Sequence, residues 1–121
     1  MQDINKIKMI ISDVDGVWTD GSIYKGFSST ENIELKKFSV SDGAAVALIR
    51  EAGLKVALIS GRKSSATEAR ASELKIQDIY NGTLNKIPPY EELKSKYTLS
   101  DDEIAYVGDD LIDIPIMEKV A

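Results

Sequence analysis

Ile7-Lys8-Met9-Ile10-Ile11-Ser12-Asp13-Val14-Asp15-Gly16 is the stretch that decides the fold. Residues 7–14 are dominated by Ile, Met and Val. That is the pattern of a strand buried on both faces of a parallel sheet, not of one alternating between core and solvent. The run leads straight into Asp13, Asp15 and Gly16. Carboxylates two residues apart share a face of an extended chain. A strand end bends, however, and Gly16 permits dihedrals that other residues avoid, so the two carboxylates can take separate roles.

The flanking sequence repeats the strand–helix alternation. Residues 22–24 and 33–38 are short strand candidates separated by Gly26 and a Ser/Thr run, which predicts a hairpin. Ser41 or Asp42 can cap a helix through residue 52, with Ala45, Leu48, Ile49 and Ala52 as its apolar stripe and Gly53 just beyond. Residues 54–59 form a second buried strand, ending at Ser60-Gly61-Arg62. Ser65 with Glu68 suggests a capping box for a helix reaching Lys75. A third strand, 76–80, ends at Asn81-Gly82. Pro88 and Pro89 open a helix through Tyr97, in which Glu92 and Lys96 stand at i,i+4. Residues 100–104 form a turn, 105–107 a fourth strand ending at Gly108-Asp109-Asp110, and a last helix starts at Ile112. This order predicts an α/β fold: a Rossmann-like, three-layer parallel sheet with a small β-hairpin flap. No linker, repeat or low-complexity tract interrupts it, so residues 1–121 read as a single domain.

Composition narrows the chemistry. The chain has 121 residues, 43% apolar and 29% charged, enough for a core without staples. It has no cysteine, which removes disulfides, thiolate zinc and thiol catalysis. It has no histidine, which removes a Ser-His-Asp triad, imidazole ligands and histidine acid/base work. Fifteen basic residues against 20 acidic ones give −5, a poor balance for nucleic acid. Apolar runs are too short to span a bilayer. The first eight residues lack a signal-peptide core, so a cytoplasmic location is expected, with no membrane partner. Catalysis must rest on carboxylates, hydroxyls, lysine or a hard metal ion.

Those groups gather at the carboxyl ends of the strands, where an open parallel sheet binds ligands: Asp13 and Asp15, then Ser60, then Gly82 and Lys86, then Asp109, Asp110 and Asp113. Singly, each has a plain reading: turn chemistry for the aspartates, a helix cap for Ser60, a solvated loop lysine for Lys86, packing for Trp18. Together they are what phosphoryl transfer requires. A phosphate monoester repels a carboxylate until its charge is cancelled. Mg²⁺ takes oxygen ligands and binds through one or two carboxylates plus phosphate, and Asp13 and Asp109 fit that role. A lysine and a hydroxyl can hold the remaining phosphate oxygens. A carboxylate nucleophile divides hydrolysis into two easier steps, and a second carboxyl can protonate the leaving alcohol and then deprotonate water.

The pattern resembles the haloacid dehalogenase superfamily of aspartyl-phosphate phosphatases, most closely its 3-deoxy-D-manno-octulosonate 8-phosphate phosphatase branch. The matching stretches are Asp13-Val-Asp-Gly-Val-Trp-Thr-Asp-Gly21, Ser41-Asp-Gly43, Ile59-Ser-Gly-Arg-Lys63, Glu68-Ala-Arg70, Gly82 with Lys86, and Tyr106-Val-Gly-Asp-Asp110. The resemblance implies Asp13 as nucleophile and Asp15 as general acid/base. It implies Mg²⁺ on Asp13, Asp109 and the Asp15 main-chain carbonyl, and Ser60 and Lys86 on the transferring phosphoryl group. Gly61, Asp110 and Asp113 would stand around these, and Arg62 and Arg70 would face a sugar-acid substrate. A relative acting on a nine-carbon sialic-acid-like phosphate carries Glu in place of Arg62, which favours the eight-carbon substrate here. The branch works in lipopolysaccharide synthesis as a homotetramer whose neighbouring subunit helps to complete the pocket.

Spacing agrees with a protein lacking a cap domain. Between Asp13 and Ser60 there is room only for the hairpin and one helix, and between Ser60 and Lys86 for one helix and one strand. Related proteins continue beyond residues 117–120 into another strand and a tail, so both are expected to be missing here. Two rivals remain. A phosphorelay receiver would carry its phosphoacceptor aspartate after strand three, where this chain has Asn81-Gly82. A non-catalytic module of the same fold, attached to a nucleotide-sugar enzyme, would have little use for the intact acidic set.

Overall fold

A computed structural model describes residues 3–120. Four parallel strands form the central sheet in the order β5-β4-β1-β6, from β1 (Met9–Ser12), β4 (Lys55–Ser60), β5 (Asp78–Asn81) and β6 (Ile104–Val107). A separate antiparallel hairpin joins β2 (Tyr24–Phe27) to β3 (Asn32–Leu35). The helices are α1 (Val40–Glu51), α2 (Ser65–Glu73), α3 (Ile87–Tyr97) and α4 (Ile114–Val120).

The apolar run at the start becomes the centre of the sheet. Ile11 pairs in register with Ala57 of β4 and Tyr106 of β6. Met9 and Ile11 point into one core with Ala57, Ile59, Tyr90, Leu93 and Ile116, beneath α3 and α4. On the other face Val14, Val56 and Leu58 pack with Val46 of α1 and Ala71 of α2. The period-two alternation of β4 thus feeds two cores, which makes the layers three. After β1 the chain builds β4 and β5 on one side, then returns to place β6 on the other. That reversal puts a crevice at the carboxyl end of β1.

Several local expectations shift. Gly26 lies inside β2 opposite Ile33, and the turn is 28–31 instead, closed by Ser28, whose hydroxyl accepts from the N–H groups of Thr30 and Glu31. Ser65 and Glu68 form no capping box. Ser64 is the residue before α2, and Glu68 accepts from the Asn81 side chain. Lys75 lies beyond α2 with φ +58. Lys96 reaches Asp78 at 2.6 Å, not Glu92. A capping box does form at Ser100 and Glu103, ahead of β6.

Candidate active site

Asp13 is fixed by the end of β1. Its N–H continues the sheet ladder to the Val107 carbonyl at 2.8 Å, and its side chain is buried. The chain then folds tightly. The N–H groups of Val17 and Trp18 reach the Val14 carbonyl, and the Thr19 hydroxyl accepts from Gly16 and Gly21. Gly16 takes φ +81. A Cβ there would lie 1.8 Å from Asp109 Oδ2, so glycine is what lets the β6 loop bring its carboxylate against this turn. Trp18 packs against the α1-side core, and its indole N–H donates to Ser12 Oγ at 2.7 Å.

The turn sends the two aspartates to different partners. Asp13 Oδ1 accepts from Lys86 Nζ at 2.9 Å. Asp15 Oδ1 accepts from Lys36 Nζ at 2.7 Å. Lys86 immediately precedes α3, where Pro88 sits in the first turn without a missing hydrogen bond. Its ammonium also donates to Asp113 Oδ1 at 2.7 Å and to the Tyr106 hydroxyl at 3.4 Å, so all three of its protons have acceptors.

Asp113 is fully buried and organises the loop after β6. Its Oδ2 accepts from the backbone N–H groups of Asp109 and Asp110, both at 3.1 Å. Its Oδ1 accepts from Lys86 and from the Tyr106 hydroxyl. Four donors on one carboxylate explain the opposite behaviour of two neighbouring acids. Burial pushes the Asp13 carboxyl above its ordinary range, and the hydrogen bond from Lys86 only partly opposes this. Burial pushes Asp113 the same way, but its bonds from Lys86, Tyr106 and the Asp110 N–H outweigh it and hold Asp113 low. Burial, then Asp113, raises the Tyr106 phenol, keeping it a donor.

Ligand oxygens of Asp13, Asp109 and Asp113 lie within 4.8 Å of one another. Asp109 is exposed, and among the described residues its carboxylate has no hydrogen-bond donor. Asp13, Asp15, Asp109 and Asp113 set four carboxyl groups against the two ammoniums of Lys36 and Lys86, a formal surplus of two. Hard oxygen donors with a surplus of two charges fit one small dication.

A cavity of about 180 Å³ opens above Asp13 and Asp15, lined by Gly61, Arg62, Leu84, Asp110 and Ile112. Arg62 thus stands at the mouth, its guanidinium bound to Glu34 of the hairpin at 2.8 Å. Ser60 ends β4 fully buried, and its hydroxyl donates to the Arg62 carbonyl at 3.1 Å. Arg70 lies outside this cavity. It donates to the Ser39 carbonyl and to Glu73 and stacks on Phe38, bracing α2 against the approach to α1. Three site residues escape the sequence reading: Lys36, Glu34 and Tyr106. Tyr106 opens the Tyr-Val-Gly-Asp-Asp stretch, where an aromatic at a strand position reads as packing. Lys36 and Glu34 carry no local signal, because only the folding of the hairpin over the sheet brings them to Asp15 and Arg62.

No family model matches the chain. An Escherichia coli 3-deoxy-D-manno-octulosonate 8-phosphate phosphatase is 42% identical over 120 residues, which is 99% of this chain and 62% of the relative. The crystal structure of the Yersinia pestis phosphatase of the same name superposes with a TM-score of 0.91 at 39% identity, over 97% of this chain and 62% of that one. The chain has the haloacid dehalogenase fold. It spans about three-fifths of the length of the relatives it matches. A third relative, from Moraxella catarrhalis, was solved with magnesium, phosphate and 3-deoxy-D-manno-octulosonate; it matches with a TM-score of 0.84 at 35% identity, covering 93% of this chain and 63% of that one. No described helix is long and apolar enough to cross a membrane.

Proposed function

We propose that this chain is a Mg²⁺-dependent phosphomonoesterase acting on a phosphorylated sugar acid, with 3-deoxy-D-manno-octulosonate 8-phosphate as its substrate, in the cytoplasm. The observation that carries this reading is the buried contact of Asp13 with Lys86 beside the open carboxylate of Asp109. Asp13 and Asp109 would hold the metal, which supplies charge neutralisation toward the phosphate. Asp13 attacks phosphorus, and the ester oxygen leaves with a proton from Asp15. The bond from Asp13 to phosphorus is then broken by a water whose proton returns to Asp15. Lys86 has no idle proton, so it exchanges a carboxylate contact for a phosphoryl oxygen as the phosphate enters. Ser60 is the second phosphoryl contact. Arg62, at the mouth, meets the sugar-acid carboxylate by leaving Glu34, while Arg70 contributes by holding α2.

Assembly belongs to the same proposal. On the hairpin, Tyr24, Ile33 and Leu35 share the face opposite Lys25 and Glu34, and all three are exposed. With Glu34 turned toward the site, this apolar face points outward, suited to a second copy of the chain and to a homotetramer. Phosphate release from a panel of phosphorylated eight- and nine-carbon sugar acids, with and without Mg²⁺, tests the activity. Fastest Mg²⁺-dependent turnover on the eight-carbon ester is expected. No turnover on any sugar-acid ester overturns the reading, and one stoichiometric labelling by acetyl phosphate would identify a receiver instead.

A further inference from the structure

Glu34 and Lys36 are two residues apart at the end of the hairpin, so an extended backbone sends both side chains to the same side. Glu34 takes Arg62 at the mouth of the cavity. Lys36 goes deeper. Its side chain is 0% exposed, and its ammonium donates to Asp15 Oδ1 at 2.7 Å and to Thr67 Oγ1 of α2 at 3.3 Å. A buried ammonium is costly unless paired, and among the described residues these are the partners it has. The Asp15 carboxylate is 27% exposed, facing the cavity with Oδ2 left over.

We infer that Lys36 is a positioning residue for the acid/base step: it locks Oδ1 of Asp15 so that Oδ2 faces the leaving-group oxygen. The inference rests on the phosphatase reading above. Thr67 anchors the ammonium on a helix of the main domain, so the lysine's position is set from two sides, the hairpin and α2. Displacing the flap and turning the Asp15 carboxylate are therefore one event. Without the lock, Asp15 rotates about its side-chain bonds, and misplacement by about 1 Å costs on the order of 10²-fold in rate.

The test compares two substrates that need the leaving-group proton to different degrees. For an alkyl phosphate, Lys36→Met is expected to lower kcat/KM about 100-fold. For p-nitrophenyl phosphate, whose leaving oxygen departs without a full proton, the fall is about threefold or less. Lys36→Arg recovers most of the alkyl rate. Thr67→Val, which keeps the lysine but removes its second anchor, gives the same selective pattern at a smaller size and covers the case in which Lys36→Met does not fold. Equal losses on both substrates, or an unchanged alkyl rate in both variants, overturn the positioning role while wild-type turnover stands. A wild type with no turnover on either ester overturns the phosphatase reading, and this inference with it.

Discussion

The two ends of the parallel sheet are both charged, and they are charged in opposite ways. At the amino ends exposed lysines are matched one to one with acids: Lys6 with Asp102, Lys8 with Glu103, Lys96 with Asp78. A groove of about 470 Å³ there is lined by Arg50, Lys55 and Lys75, close to the carboxyl ends of α1, α2 and α3. Arg50 donates to the Leu74 carbonyl, and Lys55 lies 4.5 Å from the Tyr97 ring centre. Arg50 thus answers a terminal carbonyl and Lys55 an aromatic face, so neither needs a ligand. At the carboxyl ends Asp13, Asp113 and Lys86 are buried beside the exposed Asp109, and the acids outnumber the lysines. Lys86 alone is shared between Asp13 and Asp113. A surplus that no protein group balances is costly to fold, and it marks where a ligand supplies the missing charge.

The sharpest test of that contrast is Asp13→Asn. On the proposed mechanism the amide cannot form the phosphoenzyme, so turnover is expected to fall by on the order of 10⁴-fold or more, read by phosphate release. Stability should move the other way. Burial raises the Asp13 pKa, so the folded state holds a proton that the unfolded chain loses at about pH 4. Stability is therefore full below that value and declines as pH rises through the folded pKa. Chemical denaturation of the metal-free protein should show this decline, and Asp13→Asn should abolish it and be at least as stable at pH 7. A variant that melts earlier than wild type would mean that the charge at this end is structural.

Asp113→Ala probes the same cluster from its satisfied side. It strips acceptors from Lys86, Tyr106 and two backbone N–H groups, so a loss of about 3–5 kcal/mol is expected in urea denaturation. The pKa of Asp113 is held low, so its stabilisation is present above the unfolded value and disappears as pH falls through the folded one. A variant that keeps wild-type stability would show that the loop after β6 is held by other means.

Adding Mg²⁺ to the metal-free protein should supply the missing charge. At 100 times the dissociation constant it stabilises the fold by about 2.7 kcal/mol, seen as a rise in melting temperature. Asp109→Asn should remove most of that rise while leaving the metal-free melt nearly unchanged, because the Asp109 carboxylate is exposed and bonds no protein donor among the described residues. An equal rise in the variant would place the ion elsewhere.

The contrast between the two ends was half legible in the sequence. Strand-ending aspartates, Ser60 and Lys86 could be read directly because parallel strands must deliver their ends to one edge, whatever the helices between them do. The sheet, its covering helices and the hairpin followed from periodicity. Partners across the fold did not. Asp13 and Lys86 are 73 residues apart, and Lys36 and Asp15 are joined only through the hairpin's fold. Local rules also misjudged Ser65, where Asn81 captures Glu68 in place of a cap. Arg70 is a substrate contact by motif, and no local signal announces that its guanidinium reaches the Ser39 carbonyl and Glu73 and lies over Phe38. Side chains long enough to reach a site are long enough to be taken by something nearer.

The smallest expected effect is the one that most directly defends the contrast. Lys55→Met with Lys75→Met removes two cations from the amino-end groove while keeping their apolar stems. Both are exposed, and neither makes an ion pair among the described residues. Surface changes of this kind shift the melting temperature by about 3 °C or less. The proposed phosphatase activity should stay within about twofold of wild type, because the groove lies at the far end of the sheet from Asp13 and a screened exposed charge is felt only within about 10 Å. If kcat/KM falls tenfold, or if inorganic phosphate stabilises the wild type but not this variant, the cations of the amino end serve a ligand too. The rule that separates the ends, lysines matched one to one against carboxyl groups in excess of lysines, then fails for this fold.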